Sequence, residues 1–130
     1  MKYEHKEFTL TLKEIIQQKE KQVQVLLEQM KNEHVARFEQ LDLTLEAEFE
    51  RVGIDPFQPG YSSSISIGIS DLDNELIDLY TVYIWECDRS FLGLTILKNL
   101  PGSKVKGELL DESIEELEKE LYEYIEDHLT

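Results

Sequence analysis

The sequence predicts an α+β fold with a mostly antiparallel sheet of about four strands, flanked by a long N-terminal helix and an acidic C-terminal helix. Apolar residues recur with the 3.6-residue period of a helix near both ends of the chain. Between these ends, short segments with strand-like patterns alternate with turn residues. We expect one domain covering residues 1–130, because this length is close to the commonest domain size.

The first long element is a helix predicted over residues 12–36. Thr11 and Glu14 have the spacing of a capping box, in which a hydroxyl and a carboxylate bind the unpartnered N–H groups of the first turn. The apolar stripe of this helix consists of Leu12, Ile16, Val23, Leu26 and Met30. Because charges in residues 1–40 balance, the stripe also suits an alternative function as a structural homodimer assembled on this helix.

Residues 41–50 fit two interpretations. Apolar residues alternate without interruption with polar ones, which favours a half-buried strand. The same residues have good helix propensity, so the first helix can instead continue to residue 52. A straight helix of that length would extend beyond a compact chain of 130 residues, and we therefore prefer the strand. This strand would place on one face Glu46, Glu48 and Glu50.

Turn residues divide the rest of the chain into short elements. Prolines and glycines mark a loop at residues 53–61, and turns are predicted at 71–74 and 88–90. Strands are predicted at 62–70, 76–87 and 91–97. A loop follows at 101–107, and the last helix is predicted over 112–128, with Asp111 or Ser113 as its N-cap.

The strand at 76–87 is apolar on both faces. One face would carry Thr81, Tyr83, Trp85 and Cys87, and the other Tyr80, Val82 and Ile84. The helices can cover one face, and the second face can be covered by a partner or by the domain itself. Tyr83 and Trp85 are of the residue types that anchor interfaces. The small residues of the strand at 62–70 can lie beside them and leave room for an approaching surface.

The net charge is −15, from 28 acidic and 13 basic residues, and it is unevenly distributed. Residues 1–40 are neutral, residues 41–107 carry −6 and residues 108–130 carry −9. Such a charge repels nucleic acid and anionic membrane, and it favours encounter with a basic protein. The N-terminal residues lack the pattern of a secretory signal, and no apolar run is long enough to span a membrane. We therefore expect a bacterial-type cytoplasmic protein with no nucleic-acid or membrane partner.

The sequence contains no pattern of residues typical of a catalytic site. The three histidines, His5, His34 and His128, lack ligand spacing, so neither a metal site nor a cofactor is expected. Cys87 lies between two acids that raise the pKa of a thiol, so it is expected to be inert. Residues 101–107 contain Lys104 and Lys106 and can bind an anion, although a flexible loop is the preferred interpretation.

These patterns predict a non-enzymatic protein-binding module for a basic partner, of the inhibitor, immunity or antitoxin-like, or chaperone-like kind. An alternative to both this function and the homodimer is a small-ligand sensor or enzyme with a pocket between sheet and helices. No family resemblance is visible. The predicted contacts are electrostatic steering by acids, then anchoring by aromatic side chains. The residues concerned are Glu46, Glu48, Glu50, Tyr83, Trp85, Glu116, Glu120 and Glu123.

Overall fold

A computed structural model describes residues 1–129 and confirms the α+β class. Two α-helices and a single turn of 3₁₀ helix accompany six strands. In chain order the elements are β1 (Lys2–Glu4), the 3₁₀ turn (His5–Glu7), α1 (Leu10–Gln40), β2 (Thr44–Val52), β3 (Ser62–Ser70), β4 (Leu76–Phe91), β5 (Leu94–Ile96), β6 (Lys104–Leu109) and α2 (Ile114–Asp127).

The six strands form one antiparallel sheet with the order β1-β6-β4-β3-β2, and β5 pairs with β4. The predicted count of four strands is therefore wrong. The sequence missed β1, which has only three residues, and β6, which was assigned to a loop. In β6 Val105, Gly107 and Leu109 alternate with polar residues, but Gly107 weakens this pattern, and the turn at Gly102, with a φ of 84°, lies two residues before the strand.

The first helix begins earlier and ends later than predicted. The Thr9 hydroxyl, rather than that of Thr11, accepts the backbone N–H of Leu12 at 3.2 Å. At the other end Asp42 has a φ of 58°, and the Leu43 N–H bonds to the Phe38 carbonyl at 2.9 Å. This left-handed residue ends the helix, so residues 44–52 form a strand and the alternative helix to residue 52 is wrong.

The C-terminal helix is capped by Ser113, whose hydroxyl accepts the backbone N–H of Glu116 at 3.1 Å. Of the two candidate caps, the structure thus uses the serine and not Asp111. Three leucine and isoleucine side chains at helical spacing are buried at 2% exposure or less, namely Leu117, Leu121 and Ile125. The amphipathic pattern that predicted this helix is therefore its packing face.

The chain divides into two compact units, and α1, β2, β3 and β4 each contribute residues to both. The neutral unit consists of Met1–Lys21, Glu50–Ser64 and Tyr83–Asp111. The acidic unit consists of Gln22–Phe49, Ile65–Val82 and Glu112–Thr130. Ten acids and ten Lys or Arg residues belong to the neutral unit, against eighteen and three in the acidic unit, which thus carries the full charge of −15. The prediction of one domain over residues 1–130 stays a prediction.

The core of the neutral unit is built around Trp85. Its indole N–H donates to the Pro56 carbonyl at 2.7 Å, and its side chain is fully buried. Phe8 and Phe57 stack on each other at 4.6 Å between ring centroids, and both meet the indole edge to face. The remaining buried members of this cluster are Leu12, Ile16, Tyr61, Cys87 and Leu109. The core of the neutral unit is therefore held together mainly by contacts between aromatic rings.

The acidic unit buries a different set of side chains, which are nearly all aliphatic. They come from α1, β2, β3, β4 and α2, and comprise Val23, Leu26, Leu27, Met30, Phe38, Leu45, Ile65, Ile67, Ile69, Val82, Leu117, Leu121 and Ile125. Within residues 1–129, no helix is long and apolar enough to cross a membrane.

Candidate protein-interaction surface

The acidic row on β2 arises from the two-residue period of the strand. Leu45 is buried, whereas Glu46 and Glu48 alternate with it and point to the opposite, exposed face. Glu50 continues the row but belongs to the neutral unit. The predicted strand and its acidic face are therefore both present in the structure.

The neighbouring strand β3 has one apolar and one small-residue face. Ile65, Ile67 and Ile69 are buried at 1% exposure or less, and Ser66 and Gly68 alternate with them. The Ser66 hydroxyl lies 3.2 Å from the hydroxyl of Thr81 on β4. Because β2 lies beside β3 in the sheet, the small residues continue the face that carries the β2 acids.

Strand β4 adds exposed apolar side chains to this face. A Cβ added at Gly68 would lie 3.6 Å from a methyl group of Leu76 and 3.9 Å from one of Leu79, so these leucines lean over the glycine. Leu76 and Leu79 nevertheless remain 58% and 55% exposed. We define the amphipathic face as the surface formed by Glu46, Glu48, Ser66, Gly68, Leu76, Leu79 and Thr81.

The two aromatic residues predicted as anchors have different environments. Tyr83 is 53% exposed on β4, whereas Trp85 is fully buried. The prediction that they share an accessible face is wrong, because Ile84 and Trp85 are both fully buried and the alternation of β4 breaks between them. Trp85 therefore belongs to the aromatic core of the neutral unit and not to a binding surface.

The acids predicted on α2 lie on the other side of the acidic unit. Tyr80 alternates with Leu79 and Thr81 along β4, and its ring stacks on Tyr124 of α2 at 4.7 Å between centroids. The helix therefore packs against the side of the sheet opposite the amphipathic face. Glu116 and Glu123 are exposed and Glu120 is half-buried on this helix. The predicted steering residues thus divide between two sides of the unit.

A polar network fixes α2 to α1 within the acidic unit. Glu126 accepts from Arg37 at 2.8 Å and is 3.1 Å from the Nε2 atom of the buried His34. The hydrogen bonds from Arg37 and His34 lower the pKa of the Glu126 carboxyl. The Tyr122 hydroxyl donates to Glu33, and this bond lowers the pKa of Glu33 and raises that of Tyr122 to about 12. Arg37, one of the three Lys or Arg residues of this unit, thus helps to hold the two helices together.

The buried carboxylate of the neutral unit has two hydrogen-bond donors. Glu20 is 1% exposed and accepts from the Tyr61 hydroxyl at 2.7 Å and from Arg51 at 3.1 Å. Burial and the bond to Glu20 raise the pKa of Tyr61 to about 12. Burial, followed by the charge of Asp88, raises the pKa of Cys87 to about 11, and the predicted direction is thus confirmed. Among residues 1–129, no group of three or more potential ligands is placed to hold a metal ion.

The alternative of a homodimer on the first helix depends on an apolar stripe. All five of its members are 5% exposed or less in the single chain, so the stripe is already covered. The exposed leucines of β4 were missed by the sequence, because Leu76, Ile77 and Leu79 follow neither a clean strand period nor a helical one. Their position over Gly68 is a tertiary contact that no local pattern encodes.

Comparison with models of protein families, with curated proteins and with solved structures found no match, so no family is assigned to this chain.

Proposed function

We propose that this chain is a non-enzymatic protein-binding module that captures a basic protein on the amphipathic face. The observation that carries the proposal is the coincidence of the whole net charge of −15 with a half-exposed leucine pair in one unit. A surface of this kind attracts a cationic partner over a distance and then gains affinity from apolar contact. Inhibitors, immunity or antitoxin-like proteins and chaperone-like proteins share this mode of action.

The two kinds of side chain on the face have separate roles in this mechanism. Glu46 and Glu48 lie on the terminal strand of the sheet, where a partner's Lys or Arg residues can reach them from solvent. Leu76 and Leu79 lie two strands away and lean over Gly68 of the strand between. The fitting partner therefore carries a basic edge beside an apolar strip. The acids of α2 act through the long-range field and not through contact.

The experiment is capture of proteins from a lysate of the source cell on the immobilised chain, at about 50 and 300 mM NaCl. We expect a basic protein to be retained at low salt and largely lost at high salt. The double variant Leu76→Ser, Leu79→Ser should lose it at both salts, and Glu46→Gln, Glu48→Gln should weaken retention at low salt. The matched control Glu120→Gln, Glu123→Gln changes the net charge equally but lies on the opposite side of the sheet. It should therefore reduce retention less than Glu46→Gln, Glu48→Gln does.

Three results contradict the proposal. These are an absence of any retained protein, retention that ignores salt, and equal losses with the sheet variants and the helix control. Circular dichroism of each variant shows whether a loss reflects unfolding, because substitutions at exposed or half-exposed surface positions should change the free energy of unfolding by no more than about 0.5 kcal/mol.

A further inference from the structure

The segment around β5 combines exposed apolar side chains with an excess of positive charge. Residues 89–107 contain four Lys or Arg residues and no Asp or Glu, whereas the whole chain carries −15. We define the apolar hairpin as residues 91–100, which include six Phe, Leu or Ile residues, none of them buried. Four of these side chains are exposed, namely Leu92, Leu94, Leu97 and Leu100. The apolar hairpin lies entirely within the neutral unit.

The turn at the tip of the apolar hairpin holds a leucine in an unfavourable backbone conformation. Phe91 of β4 pairs with Leu94 of β5. Leu92 and Gly93 therefore form a two-residue loop, and their φ angles are 51° and 80°. Positive values at both positions are typical of a type I′ turn, which favours Asn-Gly. Because Leu92 is also 86% exposed, neither the turn nor the core of the single chain explains a leucine here.

The return of the chain after β5 is held by polar contacts that leave its apolar side chains uncovered. The Arg89 guanidinium donates to the side chains of Asn99 and Ser103 at 3.0 and 3.2 Å. Leu97 nevertheless stays 97% exposed. Its neighbour Lys98 forms no ion pair with any residue in the part of the chain that the structure describes. The apolar hairpin thus offers an unpaired cation next to exposed leucines.

We propose that the apolar hairpin docks on the amphipathic face of a second copy of this chain. The inference rests on the proposed binding role of that face and names one occupant for it. The face fits a partner with a basic edge beside an apolar strip, and residues 89–107 are a segment of this chain with that composition. In this contact Lys98 approaches Glu46 and Glu48, and the hairpin leucines cover Leu76 and Leu79, which the single chain leaves exposed.

This contact joins two different surfaces, so it is head-to-tail. Contacts of this kind build rings or open chains of molecules instead of a two-fold dimer. The ten residues of the apolar hairpin fall short of the roughly 20 to 30 residues that each partner contributes to a stable interface, so the contact is weak and reversible. At about 150 mM salt the Debye length of about 8 Å limits the repulsion between two acidic chains.

The test is sedimentation velocity of the intact chain from about 10 µM to 1 mM at about 150 mM NaCl. We expect the average mass to rise steadily with concentration. The hairpin variant (Leu92→Asn, Leu97→Ser) and the face variant (Leu76→Ser, Leu79→Ser) should each remain monomeric. An equimolar mixture of the two variants should form a complex of two chains and nothing larger, because only one intact pair of surfaces remains.

The matched control is Leu10→Ser with Ile54→Ser, which removes two exposed apolar side chains of the neutral unit outside the apolar hairpin. It should associate like the unchanged chain. Asn suits the type I′ turn better than Leu does, so the hairpin variant should unfold at an unchanged or higher urea concentration. Its loss of association then reflects the lost contact and not unfolding.

Four results overturn the inference. These are a chain that is monomeric up to about 1 mM, a face variant that still associates, a mixture that stays monomeric, and equal losses with the hairpin variant and the control. A monomeric chain that co-sediments with vesicles of phosphatidylcholine and phosphatidylglycerol would overturn it in favour of a membrane surface.

Failure of this inference is distinguishable from failure of the proposed function. If the unchanged chain is monomeric while the face variant loses a basic protein from the lysate, only the self-association is wrong. If the unchanged chain retains no basic protein but associates through both surfaces, only the capture of a basic protein is wrong.

Discussion

The neutral and acidic units use charge in opposite ways. The neutral unit holds as many bases as acids, buries a carboxylate between Tyr61 and Arg51, and collects four cations around one cavity. The acidic unit has three bases among eighteen acids, and its buried side chains are almost all aliphatic. A chain-wide charge of −15 therefore conceals a unit without net charge and with a basic cavity. The location of charge is more informative than its sum.

The largest predicted difference between the units concerns one glycine in each. A Cβ added at Gly107 would lie 1.9 Å from the Trp85 ring, whereas one added at Gly68 would meet only ordinary contacts at 3.6 Å or more. We expect Gly107→Ala to reduce the free energy of unfolding by about 3 kcal/mol or more, and Gly68→Ala to change it by less than about 1 kcal/mol. Urea denaturation measures both, and equal effects would mean that the indole can move aside.

A second comparison concerns hydroxyl groups on two tyrosines. The Tyr61 hydroxyl donates to the buried Glu20 and accepts from the Nε atom of Arg51 at 3.0 Å. Tyr61→Phe leaves that carboxylate with one donor fewer, so we expect a loss of about 1.5 to 3 kcal/mol in unfolding free energy. Tyr83→Phe, at an exposed site, should cost less than about 0.5 kcal/mol. Similar losses from the two variants would contradict a stabilising role for the Glu20 contacts.

Salt should separate the two units further. Raising NaCl from about 20 to 200 mM screens repulsion among the acids of the acidic unit and has little to screen in the neutral one. Hydrogen exchange at Ile67 and Ile69 of β3 should slow by up to about fivefold, which corresponds to about 1 kcal/mol. Exchange at Cys87 of β4 in the neutral unit should change less. Equal slowing would show that both units open only together.

The smallest expected effect is in the titration of individual carboxyls. Glu33 and Glu126 of the acidic unit have pKa values below the ordinary 4.5, because they accept hydrogen bonds from Tyr122 and from Arg37, respectively. The ionised carboxylates therefore stabilise the folded chain above pH 4.5, and this stabilisation is lost as the pH falls through the lowered pKa values. Glu86 of the neutral unit has a raised pKa, because of burial first and of Asp88 and Glu108 second. Its protonation on acidification relieves an unfavourable charge.

The chemical shifts of the carboxyl carbons in NMR spectra, recorded between about pH 2 and 7, measure these three pKa values directly. Glu126→Gln serves as the control, because it removes one titration and the contribution of that group to acid unfolding. Equal pKa values for the carboxyls of Glu33, Glu126 and Glu86 would contradict the separate causes assigned to their shifts.

The sequence predicts those elements whose pattern is local. The stripe and cap of α2 and the alternation of β2 are each contained in about ten to fifteen residues, and both elements are present. Trp85 was misplaced because Phe8 and Phe57, whose rings pack against it, are distant in sequence. The cavity lined by Lys6, Arg89 and Lys104 was missed for the same reason, since these residues are far apart in the sequence.

The position of β2 at the end of the sheet has a consequence for self-association. Its outer backbone groups have no neighbouring strand within residues 1–129, and its nine residues give a longer edge than the three of β1. A second copy of this strand laid against that edge would bring two rows of glutamates together. Repulsion among the carboxylates of Glu46, Glu48 and Glu50 thus opposes edge-to-edge pairing of β2 strands from different copies of the chain. A chain that lacked these three charges should associate through the edge of β2.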